Sequence, residues 1–162
     1  MHLALGLEYD GRSFNGFQRQ IGVPTVQAEL EQALSKIADE PVGIAAAGRT
    51  DTGVHATGQV VGFASDAVRH LDAWRRGVNS LTSAAVKVRW VVEVADDFHP
   101  RFSAAARRYM YVWYEDSVES PVMHGLAVRV DPLHDEKMHQ AAQGLLGEHD
   151  FSGYCAAGCQ SH

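Results

Sequence analysis

Two periods of apolar residue organise this 162-residue chain. His2 to Tyr9 is mostly apolar and is closed by Asp10-Gly11, which predicts a strand running into a turn. After Pro24, with Thr25 as a candidate cap, Val26, Leu30, Ala33, Leu34 and Ile37 recur on one helical face until Pro41 forbids continuation. Val42 to Ala47 and Gln59 to Phe63 predict short strands on either side of a glycine-punctuated loop. Leu71, Trp74, Val78 and Leu81 stand three and four apart, the spacing of a second amphipathic helix. Val86, Val88, Trp90, Val92 and Val94 then alternate with Lys87, Arg89, Val91 and Glu93, predicting a half-buried strand. Tyr109, Tyr111 and Trp113 alternate with Arg108, Met110, Val112 and Tyr114 in the same way. Leu126 to Val130 predicts a further strand, and Met138, Ala141, Ala142, Leu145 and Leu146 a third helix ending at Gly147.

Helices mixed with long alternating strands predict an α+β fold, an antiparallel sheet with one face covered by helices. The hydrophobic content of 46% is enough for a sizeable core at this length, and one domain is expected. No stretch approaches the roughly 18 apolar residues of a membrane span, and the start lacks the basic and apolar regions of a signal peptide. Only Cys155 and Cys159 are present, too few for a disulfide framework, so a cytoplasmic, reduced setting is expected.

Charge changes the picture by its distribution. A net charge of −6 argues mildly against a nucleic-acid partner. Eleven of the fourteen basic residues are nevertheless arginine, and Arg12, Arg19, Arg49, Arg75, Arg76, Arg101, Arg107 and Arg108 fall in pairs or near motifs. Arginine suits bidentate phosphate contacts. Arg107 and Arg108 are therefore candidate RNA contacts.

Candidate chemistry centres on Gly48-Arg49-Thr50-Asp51-Thr52-Gly53-Val54-His55-Ala56-Thr57-Gly58-Gln59, which sets one carboxylate, Asp51, in a loop between ordered elements. Arg49 lies two residues earlier, on the same side of an extended segment, able to bind phosphate or to pair with Asp51. His55 is near enough for an RNA contact or a structural role. Asp51-Thr52-Gly53 is also the aspartic-protease triplet, but Arg49-Thr50 in front of it and three predicted helices are the wrong context. Cys155 and Cys159 with His149 and His162 lack the paired spacing of a zinc knuckle, and no Gly-Lys-Ser/Thr follows the glycines as a phosphate loop requires.

The twelve-residue run closely resembles the active-site motif of the TruA family of tRNA pseudouridine synthases. Leu5 to Gly11, Gly16-Phe17-Gln18-Arg19-Gln20, Asp97 to Ala104, Arg107 to Tyr111, Leu145 to Phe151 and Cys159-Gln160-Ser161 resemble that family in the same order. The resemblance implies a large antiparallel sheet flanked by helices, a homodimer, tRNA as partner, no metal or organic cofactor, and isomerisation of uridine to pseudouridine in the anticodon stem-loop. It implies Asp51 as catalytic nucleophile, Tyr109 stacking on the target uracil, and Arg49 displacing the base and filling its place. Family members usually continue for about a hundred further residues, so residues 1–162 are expected to be the N-terminal part of the catalytic domain.

Overall fold

Leucines at every second position of the first strand build the floor of the core. A computed structural model describes residues 1–154. Strand β1 (His2–Tyr9) turns Leu3, Leu5, Leu7 and Tyr9 to one side, all buried. It lies between β3 (Ala56–Ala64) and β4 (Val86–Glu93), antiparallel to both, and β2 (Ala45–Ala46) adds an outer rung to β3. The sheet order is β2-β3-β1-β4. Helices α1 (Val26–Ala38) and α2 (Leu71–Leu81) supply Val26, Leu30, Ala33, Leu34, Trp74 and Val78 to the same core. The predicted α+β architecture is thus present, with an antiparallel sheet and three α-helices among the described residues.

The α1 boundaries follow from local chemistry. The Thr25 hydroxyl accepts from the Ala28 amide at 3.4 Å, and Asp39 ends the helix in the left-handed region at φ 58° before Pro41. Glu31 on α1 is buried and fully engaged: it accepts from Arg19 at 3.0 Å, from Gln27 at 2.8 Å and from the Ile44 amide at 3.2 Å. That carboxylate ties the segment before α1 and the approach to β2 to one helix turn.

Three expectations from periodicity are corrected. The unbroken alternation in β4 is interrupted, because Leu7 faces Val88 while Gly6 faces Trp90, leaving Arg89 as an extra residue in a bulge. Beyond it the faces exchange: Val91 packs against the core, and Trp90 lies across the sheet over Gly6, where a Cβ would overlap its indole. The strand expected between Val42 and Ala47 shortens to Ala45–Ala46. The strand expected from Arg108 to Tyr114 begins only at Trp113, because β-forming side chains do not make a strand without a backbone partner, and among the described residues no strand pairs with Arg108 to Tyr111.

The chain divides into two compact units, Met1–Met110 and the residues from Tyr111 onward. In the second, β5 (Trp113–Glu115) pairs in parallel with β6 (Val128–Val130), and α3 (Asp135–Gln143) follows with every side chain exposed. That helix stops at Gly144, one turn before the expected Gly147. Among the described residues no helix is long and apolar enough to cross a membrane.

Candidate active site

The loop between β2 and β3 is a scaffolded turn. The Val54 amide donates to the Asp51 carbonyl at 3.2 Å, and Gly53 takes φ 79°, the geometry of a turn that needs glycine at its third position. Asp51 opens that turn and is exposed. Among the described residues its carboxylate meets no hydrogen-bonding or ion-pairing side chain.

The segment after β1 clasps this turn from outside. Phe17 donates its amide to the Thr50 carbonyl at 2.9 Å, and Gly53 donates to the Phe14 carbonyl at 3.4 Å. Two glycines make the approach possible. A Cβ at Gly11 would run into the Val54 carbonyl, and one at Gly16, already at φ 90°, would stand 3.0 Å from the Thr50 carbonyl oxygen.

Between the turn and the clasp lies a cleft of about 380 Å³ lined by Asn15, Gln18, Gln20, Arg49, Asp51 and neighbouring backbone. It combines one carboxylate, one guanidinium and three side-chain amides, a set that can bind a polar heterocycle or a phosphate and present a nucleophile to it. Arg49 and Asp51 share its wall, as their spacing predicts, but no ion pair joins them among the described residues. Asn15, Gln18 and Gln20 carry no signal in the hydrophobic pattern; the Gly16 to Gln20 motif marks Gln18 and Gln20, and Asn15 stands just before it.

Tyr109 is 73% exposed, with its hydroxyl oxygen 3.5 Å from where a Gly48 Cβ would stand. Its ring is therefore beside the start of the Asp51 loop with most of its surface free. Arg107 secures that placement: its Nε donates to the Ala47 carbonyl at 2.7 Å and its Nη2 to the Arg101 carbonyl at 2.5 Å. Arg108 is exposed. Five other arginines, Arg12, Arg19, Arg75, Arg76 and Arg89, are paired with carboxylates, whereas Arg49, Arg101, Arg107 and Arg108 have no acidic partner among the described residues. A local positive edge therefore survives in a chain of net charge −6.

His55 turns to Asp10, with Nδ1 3.3 Å from Oδ1. Asp10 in turn receives the Arg12 guanidinium, with Nε 3.0 Å from each carboxylate oxygen. The Arg12 hydrogen bonds hold the Asp10 carboxyl down at about 2. Cys155, Cys159 and His162, the weak zinc candidates, and the Cys159-Gln160-Ser161 motif lie outside the described residues.

Comparison with known proteins shows the family of the chain. The family described as tRNA pseudouridine synthase matches residues 7–103, which include the clasp, the Asp51 loop and the 380 Å³ cleft. The tRNA pseudouridine synthase A of Shewanella baltica strain OS195 is 53% identical over 162 residues, 99% of this chain and 62% of that protein. The proteins of the same description from Shewanella sp. strains W3-18-1 and MR-4 are 53% and 52% identical over the same shares. This chain spans 62% of the length of these curated relatives. With its aspartate loop and its clasp inside the matched residues and its whole length aligned to these relatives, the chain belongs to the tRNA pseudouridine synthase family.

Proposed function

We propose that this chain isomerises uridine to pseudouridine in the anticodon stem-loop of tRNA, with Asp51 as nucleophile. The observation that supports it most is the exposed Asp51, which has no side-chain partner among the described residues and lines a cleft together with Arg49. The reaction breaks the C1′–N1 bond of a uridine, turns the uracil, and joins C1′ to C5; C5 gives up a proton and N1 takes one. Nothing is oxidised or reduced, so the protein must supply a nucleophile or base, a pocket that retains the loose base, and a means of extruding the nucleotide.

Asp51 fills the first role, by adding to C6 or C1′ or by removing a proton from the sugar. Tyr109, with its ring exposed beside Gly48, stacks on the extruded uracil. Arg49 enters the space the base leaves, and Arg108 and the free edge of Arg107 meet phosphate. His55, turned to Asp10, contributes to RNA binding through the loop it anchors rather than by direct reach. tRNA as substrate fits a cytoplasmic homodimer, the state common in the family.

The deciding experiment incubates the chain and its Asp51→Asn variant with unmodified tRNA and maps pseudouridine at single-nucleotide resolution. Signal in the anticodon arm that depends on Asp51 supports the proposal. Binding of tRNA without any pseudouridine overturns it and leaves an RNA-binding module.

A further inference from the structure

Tyr9 and Asp10, adjacent residues where β1 ends, touch the loop on either side of Asp51. The Tyr9 hydroxyl is 2.8 Å from the Thr50 hydroxyl, one residue before Asp51, and Asp10 meets His55 after it. Tyr9 is the firmer of the two holds. It is 3% exposed, is paired with Ala56 on one side and Val86 on the other, and rests its ring on Phe17 at 6.2 Å between centroids. Phe17 itself donates its amide to the Thr50 carbonyl, so Thr50 is held by side chain and backbone from one packed cluster.

A phenylalanine would fill the same space without the cost of burying a hydroxyl, so the hydroxyl needs its partner. Burial also pushes the Tyr9 phenol above its ordinary value, which keeps it neutral. A neutral holder fixes the backbone beside Asp51 without adding a charge that would perturb the carboxylate.

We propose that Tyr9 is a positioning residue, whose hydroxyl fixes Thr50 and thereby aims the Asp51 carboxylate into the cleft. Its catalytic consequence rests on the isomerase reading above. The aim is set at a single covalent step from the nucleophile, so a small rotation at Thr50 moves the carboxylate while leaving the RNA-binding surface in place.

The test is a double-mutant cycle on the full chain with Tyr9→Phe, Thr50→Val and both together. Two quantities are read: kcat and KM on unmodified tRNA, and amide hydrogen exchange over residues 51–54. Each single variant is expected to lower kcat by about threefold to tenfold with KM unmoved, and to speed exchange in the turn by a similar factor. The double variant should be no worse than either single one. Unchanged exchange in both single variants overturns the proposal, as do strictly additive losses. Faster exchange with kcat unmoved removes the catalytic role. If the unaltered chain makes no pseudouridine, the isomerase reading fails and the catalytic role of Tyr9 with it, while the exchange cycle still decides whether the hydroxyl holds the loop.

Discussion

The carboxamide of Gln59, buried in β3, donates to the Gly48 carbonyl at 2.6 Å, so the Asp51 loop is fastened at its first residue to the strand that follows it. Tyr109 and Arg107 also approach Gly48. Gln59→Leu keeps the volume and leaves the Gly48 carbonyl without this donor. The expected loss is about 1–3 kcal/mol, read as a lower denaturant midpoint with an unchanged slope.

Asp51→Asn is expected to fold with a melting temperature equal to the unaltered chain's, because the residue is exposed and its side chain engages no partner among the described residues. Pseudouridine formation should fall by about a hundredfold or more, the scale for losing a catalytic carboxylate. A variant with near-native turnover would remove Asp51 from the chemistry.

Gly16→Ala tests the close approach of the clasp. The position sits at φ 90°, and the new methyl would press on the Thr50 carbonyl. A cost of about 1–2 kcal/mol is expected from the backbone alone, together with loss of activity from a displaced turn. Thermal unfolding and turnover of the same preparation read both effects.

Asp10 makes stability depend on acid. Its carboxyl titrates at about 2 in the folded chain, held there by Arg12, against an ordinary value of about 3.9. A lowered carboxyl contributes in full above the unfolded value and loses that contribution as pH falls through about 2. The stability gap between the unaltered chain and Asp10→Asn should therefore be widest above about pH 4 and close toward pH 2. Denaturant titrations at pH 2, 3 and 6 measure it, and a gap that widened on acidification would contradict the pairing.

Tyr109→Phe retains a ring for stacking and should keep most activity, whereas Tyr109→Ala removes a contact worth about 1–3 kcal/mol per base. Reduced activity of the alanine variant alone, with equal folding by circular dichroism, is the expected pattern. Equal loss in both would assign the work to the hydroxyl.

Much of the first unit was legible because its signals are local. Thr25 and Pro41 bracket α1, and Asp10-Gly11 marks the end of β1. The Arg49–Asp51 spacing is matched by the presence of both residues in the lining of one cleft. What stayed hidden depends on long-range pairing. Nothing in the alternation of Val86 to Val94 announces that Arg89 is unpaired, since the bulge is defined by which residue of β1 stands opposite. Tyr109 to Tyr114 has strand composition, yet among the described residues no strand pairs with it before the Val128 amide reaches the Val112 carbonyl and the ladder with β6 begins at Trp113. Tyr9 reads as the last residue of a strand, and only the folded chain places its hydroxyl against a threonine forty-one positions away.

The bulge at Arg89 carries an implication for how this chain tolerates insertions and deletions. Removing Arg89 would leave the cross-strand pairs as they are, with Leu7 opposite Val88 and Gly6 opposite Trp90, so the ladder would become regular and the indole would keep its place over Gly6. Removing Val88 instead would bring Arg89 opposite Leu7 and set a guanidinium in a layer built for valine. A scan of single deletions across residues 86–93 should thus show its highest yield of folded protein at Arg89 and a sharp loss at Val88.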